Sequence, residues 1–520
     1  MNEVNKPENT EDYLKSYWIA STKKTNYPSL DQDIDVDVAI VGGGIVGITA
    51  AYLLKKNGTK VAIIDAGRIV QGTSGFTTAK ITSQHYLIYH KIADIFSMEL
   101  AAQYAEANQS SIEFVEKLTK QLSINCDFER VPAYIYTREQ KYIKAIEKEA
   151  DVALKLGIKA DFVHELPINL NVDCALIFEN QAQFHPRKYL LSIAEKIPGE
   201  GSYIFENTEA MDIEKGRPMT ITTNRNKKVR AGKVIVASHF PFYDEGLYLA
   251  RLSPKRSYII AAAIKEEFPK GMYINAESPS RSLRSQPDGE NQLVLVGGEG
   301  HKTAHGNNFD EHYDNLEKFA QSLFTVESVK YRWSAQDYST LDNVPYVGQI
   351  NSTDENIYVA TGFGKWGMSN GTAAARLLAD KILGKVNPWE EVYNPSRHFT
   401  GTAYMKLFTH NFDVAKELVI GKIKGGENGV NIKCGEAKVV ELEGKKYGAY
   451  RDNEGVLHII DTTCTHVGCE LRWNDAEKSW DCPCHGSRFT YDGQILEGPA
   501  THKLNYYKEG ANKIDPNIKL

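Results

Sequence analysis

The stretch DVDVAIVGGGIVGITAAYLLKKNGTKVAIIDAG, Asp35–Gly67, decides how the first half of this chain folds. Val36 to Val41 are β-rich and almost wholly apolar, which suits a strand buried on both faces of a parallel sheet. Gly42, Gly44 and Gly47 follow at GxGxxG spacing. Ile45 to Lys56 have helical character and stop at Asn57-Gly58, a C-cap signal. Lys60 to Ile64 read as a second strand, closed by Asp65. In this strand–helix–strand setting each glycine has a physical task. Gly42 permits the tight turn, Gly44 lets backbone approach a pyrophosphate, and Gly47 lets helix and strand pack closely. The helix N-terminus offers its unpaired N–H groups to phosphate. Asp65 is placed to accept hydrogen bonds from an adenosine ribose.

Three further stretches extend the pattern. GRIVQGTSGFTTAKITSQH (Gly67–His85) is rich in Gly, Ser and Thr and follows the second strand directly. YRWSAQDYSTLDNVPYVGQI (Tyr331–Ile350) and IYVATGFGKWGMSNGTAAARLLADKI (Ile357–Ile382) come late, the latter reading as strand, open loop at Gly362, Gly364 and Gly367, then helix. VIVASHF (Val234–Phe240) reads as another strand. With Asp35–Gly67, these blocks resemble the D-amino-acid-oxidase-like flavoproteins, the group of glycine oxidase and sarcosine oxidase, over roughly residues 35 to 390.

The resemblance implies an α/β Rossmann-like FAD domain with an inserted α+β substrate domain. The FAD part would be about 35–90, 185–240 and 335–390, and the substrate part about 91–184 and 241–334. Residues 87–122 and 138–156 are helical in pattern, and 257–265 and 293–298 are strand-like. FAD is expected to contact Gly42, Gly44, Gly47, Asp65, Gly362 and Gly367. It is expected to be non-covalent, because no His or Cys stands where some relatives bond the flavin. In RSLRSQPDGENQLVLVGG (Arg281–Gly298), Arg284 is the candidate clamp for a substrate carboxylate, since a planar guanidinium suits bidentate binding. Arg281 and Arg256 compete with it. Trp366 and Trp18 are candidate pocket walls, with core packing the alternative. His85 and His239 lie near cofactor-facing segments but receive no catalytic role.

Near the other end stand CTHVGC (Cys464–Cys469) and CPCHGS (Cys482–Ser487), which hold four of the chain's seven cysteines. Short β-like runs surround them: 437–442, 446–451, 457–461 and 487–491. They suggest a small all-β domain at 431–520, after a linker at 396–430; the oxidoreductase part is 1–395. Cys464, His466, Cys482 and His485 could hold zinc tetrahedrally. The Cys-x-His and Cys-x-x-His spacing is instead the pattern of a Rieske [2Fe–2S] centre. The full boxes resemble Rieske proteins that carry two more cysteines. The resemblance implies one [2Fe–2S] cluster and a disulfide between Cys469 and Cys484. High-potential members have Tyr two positions after the box serine. Here Ser487 is followed by Arg488 and Phe489, and Phe489 has no donor, so a lower potential is expected within the roughly −150 to +300 mV open to such centres.

Composition narrows the class. The chain has 520 residues, 42% apolar and 25% charged, with a net charge of −6. That length implies more than one domain. There is no basic block, which argues against nucleic acid. No apolar run approaches a membrane span and no secretory signal is visible, so the cytoplasm is the expected compartment. The expected activity is oxidation of a C–N bond in an amine or amino acid, with electrons leaving FAD through the cluster to an external one-electron carrier. An oxygen-using oxidase with a structural or sensing cluster, a reductase with reversed flow, and a redox-sensing module without turnover remain alternatives. A Rieske oxygenase is disfavoured, for want of a mononuclear iron grouping.

Overall fold

The computed structural model describes residues 15–306, 308–397, 409, 411–418, 431–442 and 445–508. The apolar run before the glycines forms the strand Ile34–Val41, buried throughout its last four residues. It pairs in parallel with Val61–Ile64 on one side and Lys228–Val236 on the other. Between the first two strands runs the helix Ile45–Lys56, ending at Asn57 and followed by Gly58 at φ 83°, a conformation that favours glycine. The sheet continues from Lys228–Val236 to Ile357–Thr361 and Tyr346–Gln349, and from Val61–Ile64 to Tyr203–Phe205. The late helix Gly367–Ile382 lies against Ile45–Lys56. Their approach depends on Gly371, where a Cβ would stand 2.7 Å from Ile45 Cγ2.

A second sheet of nine strands takes its members from 80–81, 129–183 and 252–340. Its long antiparallel partners Arg281–Asp288 and Asn291–Lys302 are joined at Asp288↔Asn291. The helical patterns of the sequence appear as Tyr89–Ile95, Met98–Gln121 and Ile143–Lys155. The two expected parts of the oxidoreductase do not have separate cores. Met98–Gln121 shares one apolar cluster with Ile45–Lys56 and Gly367–Ile382. Polar bonds pin it further: Asn108 Nδ2 donates to Tyr393 Oη at 3.0 Å, and Asn370 Nδ2 to Tyr104 Oη at 3.1 Å.

Chain contacts divide the protein into two units, 1–246, 257–300 and 313–400 against 247–256, 301–312 and 401–520. The second unit therefore takes in two short segments that sequence order assigned to the substrate part. Within it Phe309 N donates to Asp475 Oδ1 at 3.0 Å and an Arg472 guanidinium nitrogen to Ala304 O at 3.0 Å. This unit contains two four-stranded antiparallel sheets. Trp480 fills its centre over Gly448, where a Cβ would lie 2.5 Å from the indole. The expected linker at 396–430 lies largely outside the described residues. Among the described residues no helix is long and apolar enough to cross a membrane.

Candidate cofactor sites

The glycine turn is closed by backbone, which leaves no space for side chains. Gly42 has φ 109° and a Cβ there would stand 2.4 Å from Ala237 O. A Cβ on Gly47 would stand 1.9 Å from Gly42 O. The helix begins at Gly44, which has no side chain to cap it. Asp65 closes the cradle: Oδ2 accepts from Gly43 N at 2.7 Å and Oδ1 from Gly67 N at 2.9 Å. Burial pushes its carboxyl up, and those two amides oppose the shift. Two residues that the motif did not reveal complete the cradle. Ser74 Oγ accepts from Ile45 N at 3.1 Å, and Glu206 accepts from Ile69 N at 3.0 Å and Tyr27 N at 3.1 Å. Ser74 lay in a stretch already marked as Ser/Thr-rich, whereas nothing around Glu206 distinguished it. A helix start with no side chain at its cap position, the glycine turn and a buried acid are what an FAD pyrophosphate and ribose require.

The late glycine loop follows the Ile357–Thr361 strand, with Gly362 at φ 77° and Gly364 at φ 55°. Gly364 N donates to Tyr338 O at 2.9 Å and Lys365 N to Asp337 Oδ2 at 2.6 Å. Trp366 stacks on His85, centroids 4.8 Å apart, and meets Tyr86 edge-on at 5.2 Å. His85 is tied by Nδ1 to Tyr104 Oη and by Nε2 to Thr82 O, both at 2.7 Å. Burial lowers its pKa to about 3, so it is neutral and holds structure. His239 Nδ1 meets Thr73 Oγ1 at 3.2 Å, and Nε2 is 3.4 Å from Asp337 Oδ1. Two lysines went unnoticed in the sequence. Lys80 Nζ donates to Ser282 Oγ at 2.8 Å, and burial, then the charges of Arg284 and Lys365, bring its ammonium down to about 7. Lys365 is likewise lowered by burial.

The structure corrects the expectation for Arg284. Its side chain is buried and its nitrogens are committed to backbone: Nε to Ser285 O at 2.9 Å, and one terminal nitrogen to Ala79 O at 2.8 Å and Phe184 O at 3.3 Å. The other terminal nitrogen bonds Gln286 Oε1 at 2.5 Å. A guanidinium so engaged bolts strands together and is not presented to a carboxylate. Burial drives its pKa down to about 9. Neither competitor takes its place. Arg281 is paired with Glu299 at 2.7 Å, and Arg256 is paired with Glu477 and Glu497. Trp18 is fully buried, with Nε1 donating to Thr77 O at 2.6 Å; it secures the Ser/Thr-rich segment from the core side and does not wall a pocket.

In the C-terminal unit both boxes are folded as tight loops. Gly468 N donates to Cys464 O at 2.9 Å and Gly486 N to Cys482 O at 3.1 Å. Gly468 and Gly486 take φ 80° and 79°. A disulfide joins Cys469 to Cys484, tying one loop to the other. Cys464 and Cys482 are both buried, and their thiols lie close enough to act on each other. The Cys482 neighbour, with the amides of His466 and Val467, holds the Cys464 thiol below its usual range against the opposing effect of burial. The Cys482 thiol is pushed well up instead, by its interaction with Cys464 and by burial, and the amides of Cys484 and His485 oppose that shift. The two imidazoles stand 5.2 Å apart, and Nδ1 of His466 and Nδ1 of His485 are buried without a hydrogen bond. Two thiols set among amide donors and two buried imidazole nitrogens are a donor set that fits two Cys and two His ligands to a [2Fe–2S] cluster. Cys464, His466, Cys482 and His485 would hold it.

Ser487 supplies a hydroxyl bond to Cys464, while its Oγ accepts from Ala500 N at 3.0 Å, which orients the donor. Phe489 is fully buried and adds no donor. Ser487→Ala is therefore expected to lower the cluster potential by tens of millivolts, since about 1.4 kcal/mol of differential bonding is about 59 mV for one electron. Potentiometry followed by EPR checks this; an unchanged potential would mean the hydroxyl bond does not favour the reduced cluster.

A dinucleotide cradle and a two-Cys, two-His pocket in one chain define a flavoprotein oxidoreductase with its own iron–sulfur domain. The chain belongs to the family described as FAD dependent oxidoreductase, whose model matches residues 37–381, and a Rieske [2Fe-2S] domain follows at 428–508. Its cofactors are FAD and one [2Fe–2S] cluster. It is 42% identical to the Rieske 2Fe-2S iron-sulfur protein YhfW of Bacillus subtilis (strain 168), over 94% of this chain and 97% of that one. It is 23% identical to the gamma-glutamylputrescine oxidoreductase of Escherichia coli (strain K12), over 76% of this chain and 95% of that one. The glycine oxidase structure from Geobacillus kaustophilus shares the fold, with a TM-score of 0.60 and 17% identity over 71% of this chain and 100% of that one. The protein is an FAD-dependent oxidoreductase with a Rieske [2Fe-2S] domain.

Proposed function

We propose that this protein is a dehydrogenase that oxidises the C–N bond of an amine or amino acid to an imine and exports the electrons singly to an external carrier. The reading rests on one observation: a cradle for a two-electron cofactor and a pocket for a one-electron cluster lie on the same chain. When bound, FAD accepts a hydride and the cluster carries one electron at a time. The carbon loses a hydride, the nitrogen loses a proton, and two one-electron carriers are each reduced once. Gly42, Gly44, Gly47 and Asp65 would seat the dinucleotide; Gly362 and Gly367 open the loop at its other end. Trp366 and Tyr86 would pack beside the substrate. Lys80 and Lys365, whose ammoniums burial lowers, would favour an anionic substrate group in their protonated forms. A neutral amine needs no strong base, in keeping with a neutral His85.

Anaerobic mixing of the purified holoprotein with a panel of amines and amino acids tests this. The expected result is bleaching of the flavin absorbance followed by the EPR signal of the reduced cluster. Bleaching without that signal would refute electron transfer within the chain. Stoichiometric peroxide in air, unaffected by loss of the cluster, would favour an oxidase.

A further inference from the structure

Five charged side chains of the C-terminal unit form one connected network at the foot of the second cluster loop. Arg488 Nε donates to Asp481 Oδ1 at 2.9 Å, a terminal nitrogen pairs with Glu477, and the other stands 3.5 Å from Glu497 Oε1. Arg256 pairs with the same Glu477, and a terminal nitrogen lies 3.3 Å from Glu497 Oε2. Asp481 and Arg488 face each other across the sheet. One immediately precedes Cys482 and the other immediately follows Ser487. Cys482 N donates to Ser487 O at 2.8 Å, so the ligand loop rises directly from this charged pair. Arg256, Asp481 and Arg488 are buried.

Charges in such a place are weakly screened, so each acts on its neighbours across several ångströms. Reduction adds one negative charge to a [2Fe–2S] cluster. Carboxylates beneath the loop oppose that charge, and guanidiniums favour it. Arg488 is part of the domain's own strand. Arg256 comes from the strand Leu252–Ile264, far earlier in the sequence, and reaches two carboxylates that Arg488 already shares. A domain lacking it would keep three carboxylates for one guanidinium within this network.

The geometry points to Arg256 as a positioning residue for the iron–sulfur centre: its guanidinium offsets Glu477 and Glu497 beneath the Cys482–Ser487 loop and raises the cluster's reduction potential. The inference concerns the cluster and is independent of which substrate reduces the flavin. It makes Arg256, outside the Rieske sequence match at 428–508, a determinant of how readily that domain accepts an electron.

Potentiometric titration of the full-length holoprotein tests it, with the reduced cluster followed by EPR and FAD by absorbance. Arg256→Gln is expected to shift the cluster's reduction equilibrium about tenfold against reduction, about 59 mV lower for one electron. Arg256→Lys keeps the charge and is expected to stay within about threefold of the parent. Glu497→Gln removes a carboxylate from a partly exposed side chain and is expected to shift the equilibrium the other way, towards reduction. A purely structural Arg256 would alter stability and leave the potential in place. The inference is overturned if Arg256→Gln and Glu497→Gln move the cluster in the same direction, if their signs are reversed, or if neither moves it by about twofold. It is also overturned if FAD moves by the same factor as the cluster. Should Arg256→Gln fail to fold, Glu497→Gln decides alone, and no shift towards reduction there overturns it.

Discussion

Cys482→Ser is expected to empty the iron–sulfur site and leave the flavin in place. Cys482 is fully buried, close to Cys464, and served by the amides of Cys484 and His485. Those amides favour an anionic sulfur, against the burial and the Cys464 neighbour that push the thiol up. A serine hydroxyl stays protonated at neutral pH and cannot supply the same anionic sulfur donor. Loss of a residue that only holds a metal ligand in place typically costs about 10–100-fold in metal affinity, and loss of a ligand more. Iron content should fall close to zero, with the reduced-cluster EPR signal gone and the flavin spectrum retained. Turnover with a one-electron acceptor should fall by about 100-fold or more, while anaerobic bleaching by substrate persists. Undiminished turnover with that acceptor would show that electrons leave by another route, and the dehydrogenase reading would fail.

The second large effect belongs to the other cofactor. Gly47→Ala is expected to yield protein with little or no FAD. The added Cβ would stand 1.9 Å from Gly42 O, and both partners are backbone held in the sheet and helix, so no side chain can swing aside. Overpacking of this kind costs about 1–3 kcal/mol, occasionally more. Relief requires the helix Ile45–Lys56 to move off the turn, and that motion displaces the N–H groups that would face the pyrophosphate. Since about 1.4 kcal/mol is tenfold in an equilibrium, FAD affinity should fall by about 10–100-fold. Flavin released on heat denaturation, measured per chain, checks this, with iron content as the internal control. Full FAD occupancy would mean that the helix has slack the structure does not suggest.

These two sites share a property: their chemistry is written in residues close together in sequence. Turn, helix start and second strand at Asp35–Gly67 are determined by local sterics, by where glycine is needed and by where an apolar run stops. The boxes at Cys464–Cys469 and Cys482–Ser487 are likewise local loops, and Phe489 bears on the potential from just beyond one of them. The four ligand types alone could not separate zinc from a [2Fe–2S] cluster; the Cys-x-His and Cys-x-x-His spacing made that choice, and the resemblance of the full boxes supported it. The disulfide between Cys469 and Cys484, which removes two thiols from the pool of ligands, was also implied by resemblance and is present in the fold.

The substrate side could not be read in this way. Arg284 looked like a clamp because arginine suits carboxylates, yet a guanidinium binds whatever the fold places around it. Here that is the carbonyls of Ala79 and Phe184, about a hundred or more residues away. Lys80 and Lys365 were unremarkable in sequence. Their importance comes from lying close enough for their charges to interact, with Lys80 held by Ser282. Arg256 was assigned by its neighbours in sequence, but its ion partners are Glu477 and Glu497 in the last hundred residues. By itself, then, the sequence determined a dinucleotide cradle at one end of the chain and a set of iron ligands at the other, because short-range geometry carries that information. Only the tertiary structure decided which charges are already committed and which are left for substrate or cluster, because burial and ion pairing depend on residues that meet only after folding.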